Sequence, residues 1–280
     1  MNIHSINTGH FKLDGGAMFG VVPKTIWNKL NPADENNMCS WAMRCLLIED
    51  NKRLMLVDTG IGNKQDEKFF SFYYLHGNDT LDKSLAKHGF NRNDITDVFL
   101  THLHFDHCGG AIEMDKSTGK YQPAFPNAIY WSNPDHWNAA IHPNPREKAS
   151  FLKENILPIQ ESGQLKFIEK DGQWTDDIYI YLSFGHTDAM MLPRIKYKTQ
   201  EIIFMADLSP SYHHLRLPYV MGYDIRPLKS MEEKQKVLQY AAENKSILFF
   251  EHDPVIECTI PVLTEKGVIG GEKMNLADVV

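Results

Sequence analysis

The 280-residue sequence predicts an α/β protein, read as one domain over 1–280 in which packed sheets carry helices on their outer sides. Three observations predict it. Short apolar runs of strand character alternate with segments of helical periodicity. No flexible tether and no repeat of 20–50 residues divides the chain. Three of the later apolar runs end in His or Asp, as strands do when they deliver polar groups to a sheet rim.

The elements follow in order. SWAMRCLLIEDNKRLMLVDTG (40–60) reads as a hairpin around the polar turn Glu49-Asp50-Asn51-Lys52. DTLDKSLAKHG (79–89) reads as a short helix: Asp79 or Thr80 can cap it, Leu81 and Leu85 share a face, and Gly89 can end it. ITDVFL (95–100) returns as a strand. Residues 111–163 are rich in Pro, Asn and Gly and read as a cap or insertion, with a strand at AIYWS (128–132) and helical pieces at DHWNAA and REKASFLKENI. QLKFIEKDGQ, DIYIYLSFG and EIIFMADLSP are three strand-like runs. SMEEKQKVLQYAAENK (230–245) is a helix opened by a capping box of Ser230 and Glu233. SILFFEHD (246–253) is a short buried strand.

Composition narrows the function. A chain with 42% hydrophobic and 23% charged residues has ordinary globular makeup and enough length for a sizeable core. A net charge of −7 argues against nucleic acid as a partner. Cys39, Cys45, Cys108 and Cys258 are scattered without a CxxC, unlike a disulfide framework or a thiolate zinc site, and fit a reducing cytoplasm. The N-terminal MNIHSINTGHFKLDGG lacks the apolar core of a signal peptide. No 18-residue apolar run exists, so no membrane span is expected.

The chemistry concentrates in THLHFDHCGG (101–110). On an extended segment His102 and His104 point the same way and can chelate one metal. Asp106 and His107 follow where Gly109-Gly110 permits a turn. Four donors in six residues exceed what one open tetrahedral zinc site uses, which suggests two metals. Further donors stand at strand ends: His186 after DIYIYLSF, Asp207 after IIFMA, and His252 after ILFFE.

In order and spacing these residues resemble the metallo-β-lactamase superfamily. The match runs over 40–255: an HxHxDH motif (His102, His104, Asp106, His107), GHT with His186, then Asp207 and His252. VDTG (57–60) matches that family's Asp at the end of an early strand. The resemblance implies a four-layer αββα sandwich. It implies one metal on His102, His104 and His186, a second on Asp106, His107 and His252, and Asp207 bridging both. A hydroxide shared by the two divalent ions would be the nucleophile, and Asp106 could shuttle a proton to the leaving group. Zinc is the default ion; manganese, iron or cobalt also suit a His/Asp shell.

Within the superfamily the donor set is most similar to that of N-acyl homoserine lactonases. The resemblance thus implies a small lactone or ester substrate, quenching of bacterial signalling and, by analogy, a homodimer. Arylesterases, phosphotriesterases and glyoxalase II-like thioesterases share the donors. A metal-binding protein without turnover is the alternative of a different class; the retained Asp106 and Asp207 speak against it. Two departures stand out. GHTDAM (185–190) places Asp188-Ala189-Met190 where many members have Pro-Gly-His. Pro210 stands where some lactonases place a substrate-binding tyrosine, so that either Tyr212, His214 or Tyr223 replaces that donor or the donor is absent.

Asp58 lies in a single DTG, without the second carboxylate of an aspartic protease, and reads as a partner that orients a metal-binding histidine. Cys108 reads as a small residue packed under the turn. Met18, Phe19 and Val22, Phe69 in FFSFYYL (69–75), Tyr212 and His214 are candidate pocket residues, with core packing as the competing reading. The histidines at 4, 10, 76, 88, 136, 142 and 213 are read as structural or exposed.

Overall fold

Parallel pairing at the middle of each main sheet decides where the polar strand ends emerge. The computed structural model describes residues 1–50 and 52–280. Sixteen strands and eight α-helices occur among these residues. In chain order they are β1 (Asn2–Asp14), α1 (Gly15–Phe19), α2 (Lys24–Trp27), β2 (Met38–Glu49), β3 (Leu54–Val57), α3 (Glu67–Ser71), α4 (Leu81–Lys87) and β4 (Asp97–Phe99). Next come α5 (Phe105–Cys108), β5 (Ile112–Met114), β6 (Tyr121–Pro123), β7 (Ile129–Ser132), α6 (Pro134–Ile141), α7 (Lys153–Glu161), β8 (Leu165–Phe167), β9 (Gly172–Gln173), β10 (Ile178–Ser183) and β11 (Met190–Tyr197). The chain ends with β12 (Gln200–Phe204), α8 (Pro227–Asn244), β13 (Ile247–Phe249), β14 (Cys258–Thr259), β15 (Val262–Thr264) and β16 (Gly267–Ile269). Asn51, in the turn of the 40–60 hairpin, lies outside the described residues.

The chain divides into two compact units. The first comprises Met1–Gly9, Met43–Phe72 and His76–Lys170; the second comprises His10–Ala42, Tyr73–Leu75 and Asp171–Val280. In the first unit β2 and β3 form the antiparallel hairpin, and β3, β4, β7 and β8 run parallel to one another. Segment 111–163 thus supplies β7 to the main sheet as well as α6 and α7. Thr80 caps α4 by accepting from Lys83 N, and Gly89 beyond its end adopts φ +83°, as a chain leaving a helix requires. The core joins Leu47, Leu56, Val98 and Leu100 to Leu85, Phe125, Tyr130, Ile156 and Ile159, all buried. Burying one such side chain contributes roughly 1.5–3 kcal/mol.

In the second unit the sheet order is β14-β13-β12-β11-β10-β9. β10, β11 and β12 are antiparallel neighbours, and β12 pairs with β13 in parallel. β11 carries Pro193, a residue that normally argues against an inner strand. It is tolerated because the ladder to β12 begins only at Arg194.

The helix at the end of the chain differs from its sequence reading. It starts at Pro227, whose fixed φ suits a first helical position, so Ser230 lies inside the helix and not at its cap. Ser230 Oγ donates back to Arg226 O, and Glu233 turns to the loop after β10. The Ser230–Glu233 capping box does not form. No described helix is long and apolar enough to cross a membrane.

Candidate metal centre

The first unit holds four of the predicted donors. Val57 and Phe99 are partners in the parallel β3–β4 ladder, so the residues that follow both strands emerge at one edge. Asp58 follows β3 directly, and the HxHxDH segment begins three residues after β4. His102, His104, Asp106 and His107 are all buried. His104 ends the extended segment and is the N-cap of the single turn α5, which carries Asp106 and His107. His102 Nε2 lies 3.1 Å from His104 Nδ1. At that separation two N–H groups would repel, so at least one nitrogen presents a lone pair; the spacing suits two imidazoles at about 2.0–2.1 Å from one zinc-like ion.

Asp58 lies against the HxHxDH turn. It is fully buried and adopts φ +56°. Its carboxylate accepts from Thr101 N at 2.8 Å and Thr101 Oγ1 at 2.6 Å, and Oδ2 lies 3.2 Å from His107 Nδ1. A carboxylate accepts only, so in this contact His107 carries its proton on Nδ1. The backbone of the turn is locked as well: Thr59 N donates to His107 O at 2.8 Å. A Cβ on Gly109 would meet Ile61 O at 2.1 Å, so only glycine permits this approach. His136, read from sequence as unrelated to the site, accepts from Leu103 N at 2.8 Å and braces the same loop. Glu147 Oε1 lies 3.5 Å from His104 Nε2.

Cys108 is fully buried and donates to Leu103 O; burial pushes its thiol up to about 12. A thiolate ligand there would be costly, in keeping with its reading as a packed residue.

The second unit holds the other three predicted donors, two of them placed by the same device. Phe204 and Phe249 are partners in the parallel β12–β13 ladder; Asp207 and His252 each lie three residues beyond. Asp207 Oδ2 stands 3.1 Å from His186 Nε2, and Asp207 Oδ1 stands 3.1 Å from His252 Nε2. His252 Nδ1 donates to Ala42 O at 2.8 Å. His186 Nδ1 donates to Asp224 Oδ1 at 2.9 Å. Both rings therefore turn Nε2 toward Asp207. Burial disfavours a charged His186, but Asp207 and Asp224 outweigh it and push the imidazole up to about 10. His252 N donates to Pro210 O at 3.0 Å, so the residue standing in the place of tyrosine anchors a donor backbone. Asp224 escaped sequence reading because it sits in a loop 38 residues from its partner, with no motif around it.

The predicted pocket residues divide. Met18 and Phe19 are buried in the second unit, Val22 is largely buried, and Phe19 stacks on His214 with centroids 4.7 Å apart. His214 is fully buried: Nε2 donates to Met18 O at 2.9 Å, and Nδ1 accepts from Ser211 Oγ at 2.7 Å. Tyr212 donates its hydroxyl to Gly271 O at 2.9 Å. Phe19 and His214 thus have the environment of core residues. Phe69, half-buried, meets Phe105 edge-on at 5.4 Å, and Phe151 lies 4.8 Å from the His104 ring. These rings form an apolar wall beside the HxHxDH turn.

The donor set fits divalent ions: buried imidazoles, three of them (His107, His186 and His252) with Nδ1 engaged by an acceptor, buried carboxylates and no thiolate. Residues 44–252 match the metallo-β-lactamase superfamily; the chain belongs to that superfamily and has its fold. It is 24% identical over 237 residues to an N-acyl homoserine lactonase of Bacillus thuringiensis, covering 80% of this chain and 85% of that one. It is similar to the solved structure of a probable metal-dependent hydrolase from Staphylococcus aureus, with 29% identity, a TM-score of 0.85 and 98% of each chain covered. It is also similar in fold to AidC, a dizinc quorum-quenching lactonase, with 23% identity and a TM-score of 0.77 over 98% of this chain and 95% of that one.

Proposed function

We propose that this protein is a dinuclear-metal hydrolase that opens the lactone ring of N-acyl homoserine lactones. The observation that carries the reading is the Asp207 carboxylate, whose two oxygens each face the Nε2 of a different histidine at 3.1 Å. A carboxylate divided in this way is suited to bridging two ions. In this reading, as the superfamily pattern implies, His102, His104, His186 and Asp207 are assigned to one ion and Asp106, His107 and His252 to a second. Two such ions would lower the pKa of a bound water toward neutrality and polarise the ester carbonyl.

The remaining roles fall to the chain's own side chains. Asp58, Asp224 and the Ala42 carbonyl hold Nδ1 protons and so keep the facing nitrogens basic. Asp106, largely buried, is the carboxylate assigned to carry a proton to the leaving alkoxide. The wall of Phe69, Phe105 and Phe151 suits an acyl chain. Of the three sequence candidates Tyr212, His214 and Tyr223, Tyr223 is the phenol assigned to the substrate carbonyl. It is 39% exposed and adjoins Asp224. The lactonase assignment draws further support from the Bacillus thuringiensis relative and from AidC, which was solved with a homoserine product.

A hydrolysis panel of acyl homoserine lactones, thioesters, phosphotriesters and β-lactams tests the reading. Lactones are expected to be preferred, and Asp207→Ala to lose bound metal and turnover together. Preference for paraoxon-like triesters, with lactones left intact, would replace the substrate assignment by phosphotriesterase chemistry.

A further inference from the structure

The residues just before His186 converge on one distant carboxylate. Glu233 in α8 is 2% exposed. Its Oε2 accepts from Ser183 Oγ at 2.7 Å, from Phe184 N at 3.0 Å and from Gly185 N at 3.0 Å. A buried carboxylate is costly unless it is hydrogen-bonded in this way.

The same loop is gripped by the residues that lead into α8. Arg226 N donates to Gly185 O at 2.9 Å, and Ile225 N donates to His186 O at 3.2 Å. The Arg226 guanidinium donates to Phe184 O and pairs with Asp188 Oδ1, each at 2.8 Å. Asp188 is one of the positions where GHTDAM departs from the family's usual loop. A Cβ on Gly185 would lie 2.3 Å from Ser230 Oγ, so the loop packs on α8 as closely as a glycine backbone allows.

We propose that Glu233 is a positioning residue for His186: it fixes the backbone of 183–185, while Asp224 fixes the ring. This rests on the reading of His186 as a metal ligand. Sequence pattern assigned Glu233 to a helix cap; its four hydrogen-bond contacts from residues 183–185 assign it instead to the approach of the imidazole.

The test is Glu233→Gln. Glutamine keeps the size and one acceptor but turns an amide NH2 toward donors that need a carboxylate. Chelator competition would follow both ions, the visible spectrum of the cobalt-loaded protein would report ligand geometry, and apo-protein melting would report the fold. The expected result is a loss of about ten- to a hundredfold in affinity for one ion, with an altered cobalt spectrum and the second ion retained. Glu232→Gln, on the exposed face of α8, should change none of these. If Glu233→Gln does not fold, Ser183→Ala removes a single donor and should shift the same readings in the same direction. A folded variant with wild-type affinities and spectrum would overturn this inference alone, as would equal weakening of both ions in step with stability. Wild-type protein that binds no ion would overturn the underlying reading, and this inference with it.

Discussion

The carboxylate of Asp58 reaches 3.2 Å from Nδ1 of His107 and makes Nδ1 the protonated nitrogen of that ring. Asp58→Asn should keep the positive φ, which asparagine tolerates, while losing the charge that holds the Nδ1 proton. Affinity for one ion should fall by about ten- to a hundredfold in a chelator titration. Unchanged affinity would assign Asp58 to turn structure alone.

His214 predicts an acid sensitivity. Burial pulls its pKa down to about 3, below the ordinary 6.5. The folded state therefore holds it neutral while the unfolded chain takes up a proton, so its penalty is absent above about 6.5 and grows as pH falls toward 3. Denaturant unfolding of the apo-protein between pH 7 and 4 should show declining stability. His214→Gln should flatten that slope and cost about 1–3 kcal/mol at pH 7 through its lost hydrogen bonds to Ser211 and Met18. An equally steep slope in the variant would locate the sensitivity elsewhere.

Legibility in the sequence followed how local the determinants were. The strand-end donors were readable because a strand's apolar run and the polar residue after it are contiguous, and ladders such as Phe204–Phe249 carry neighbouring ends to one edge. The position of Asp58 just after β3 was readable from DTG. Asp224 and Glu233 were not, since Asp224 lies 38 residues from His186 and Glu233 48 to 50 residues from its partners. The capping box was misread because Pro227 starts α8 three residues earlier, and β11 was missed because Pro193 interrupts its pattern. His214 was placed near substrate on its position after Asp207, where Ser211 and Met18 claim both nitrogens.

The cysteines should be inert in the native protein. All four are buried, and burial pushes Cys39 up to about 11 and Cys108 to about 12. A disulfide-exchange reagent should label all four only after unfolding. Rapid labelling of native protein would contradict this packing.

Tyr223→Phe removes the phenol assigned to the substrate carbonyl. The turnover number should fall by about tenfold or more, with bound metal unchanged. Full activity would show that the carbonyl is polarised without a phenol at this position.

The most direct measurement is metal content per chain after saturation and removal of loosely bound ions. Elemental analysis should give two divalent ions in the wild-type protein and fewer in Asp207→Ala. One ion or none in the wild type, or two retained in the variant, would contradict a centre bridged by Asp207.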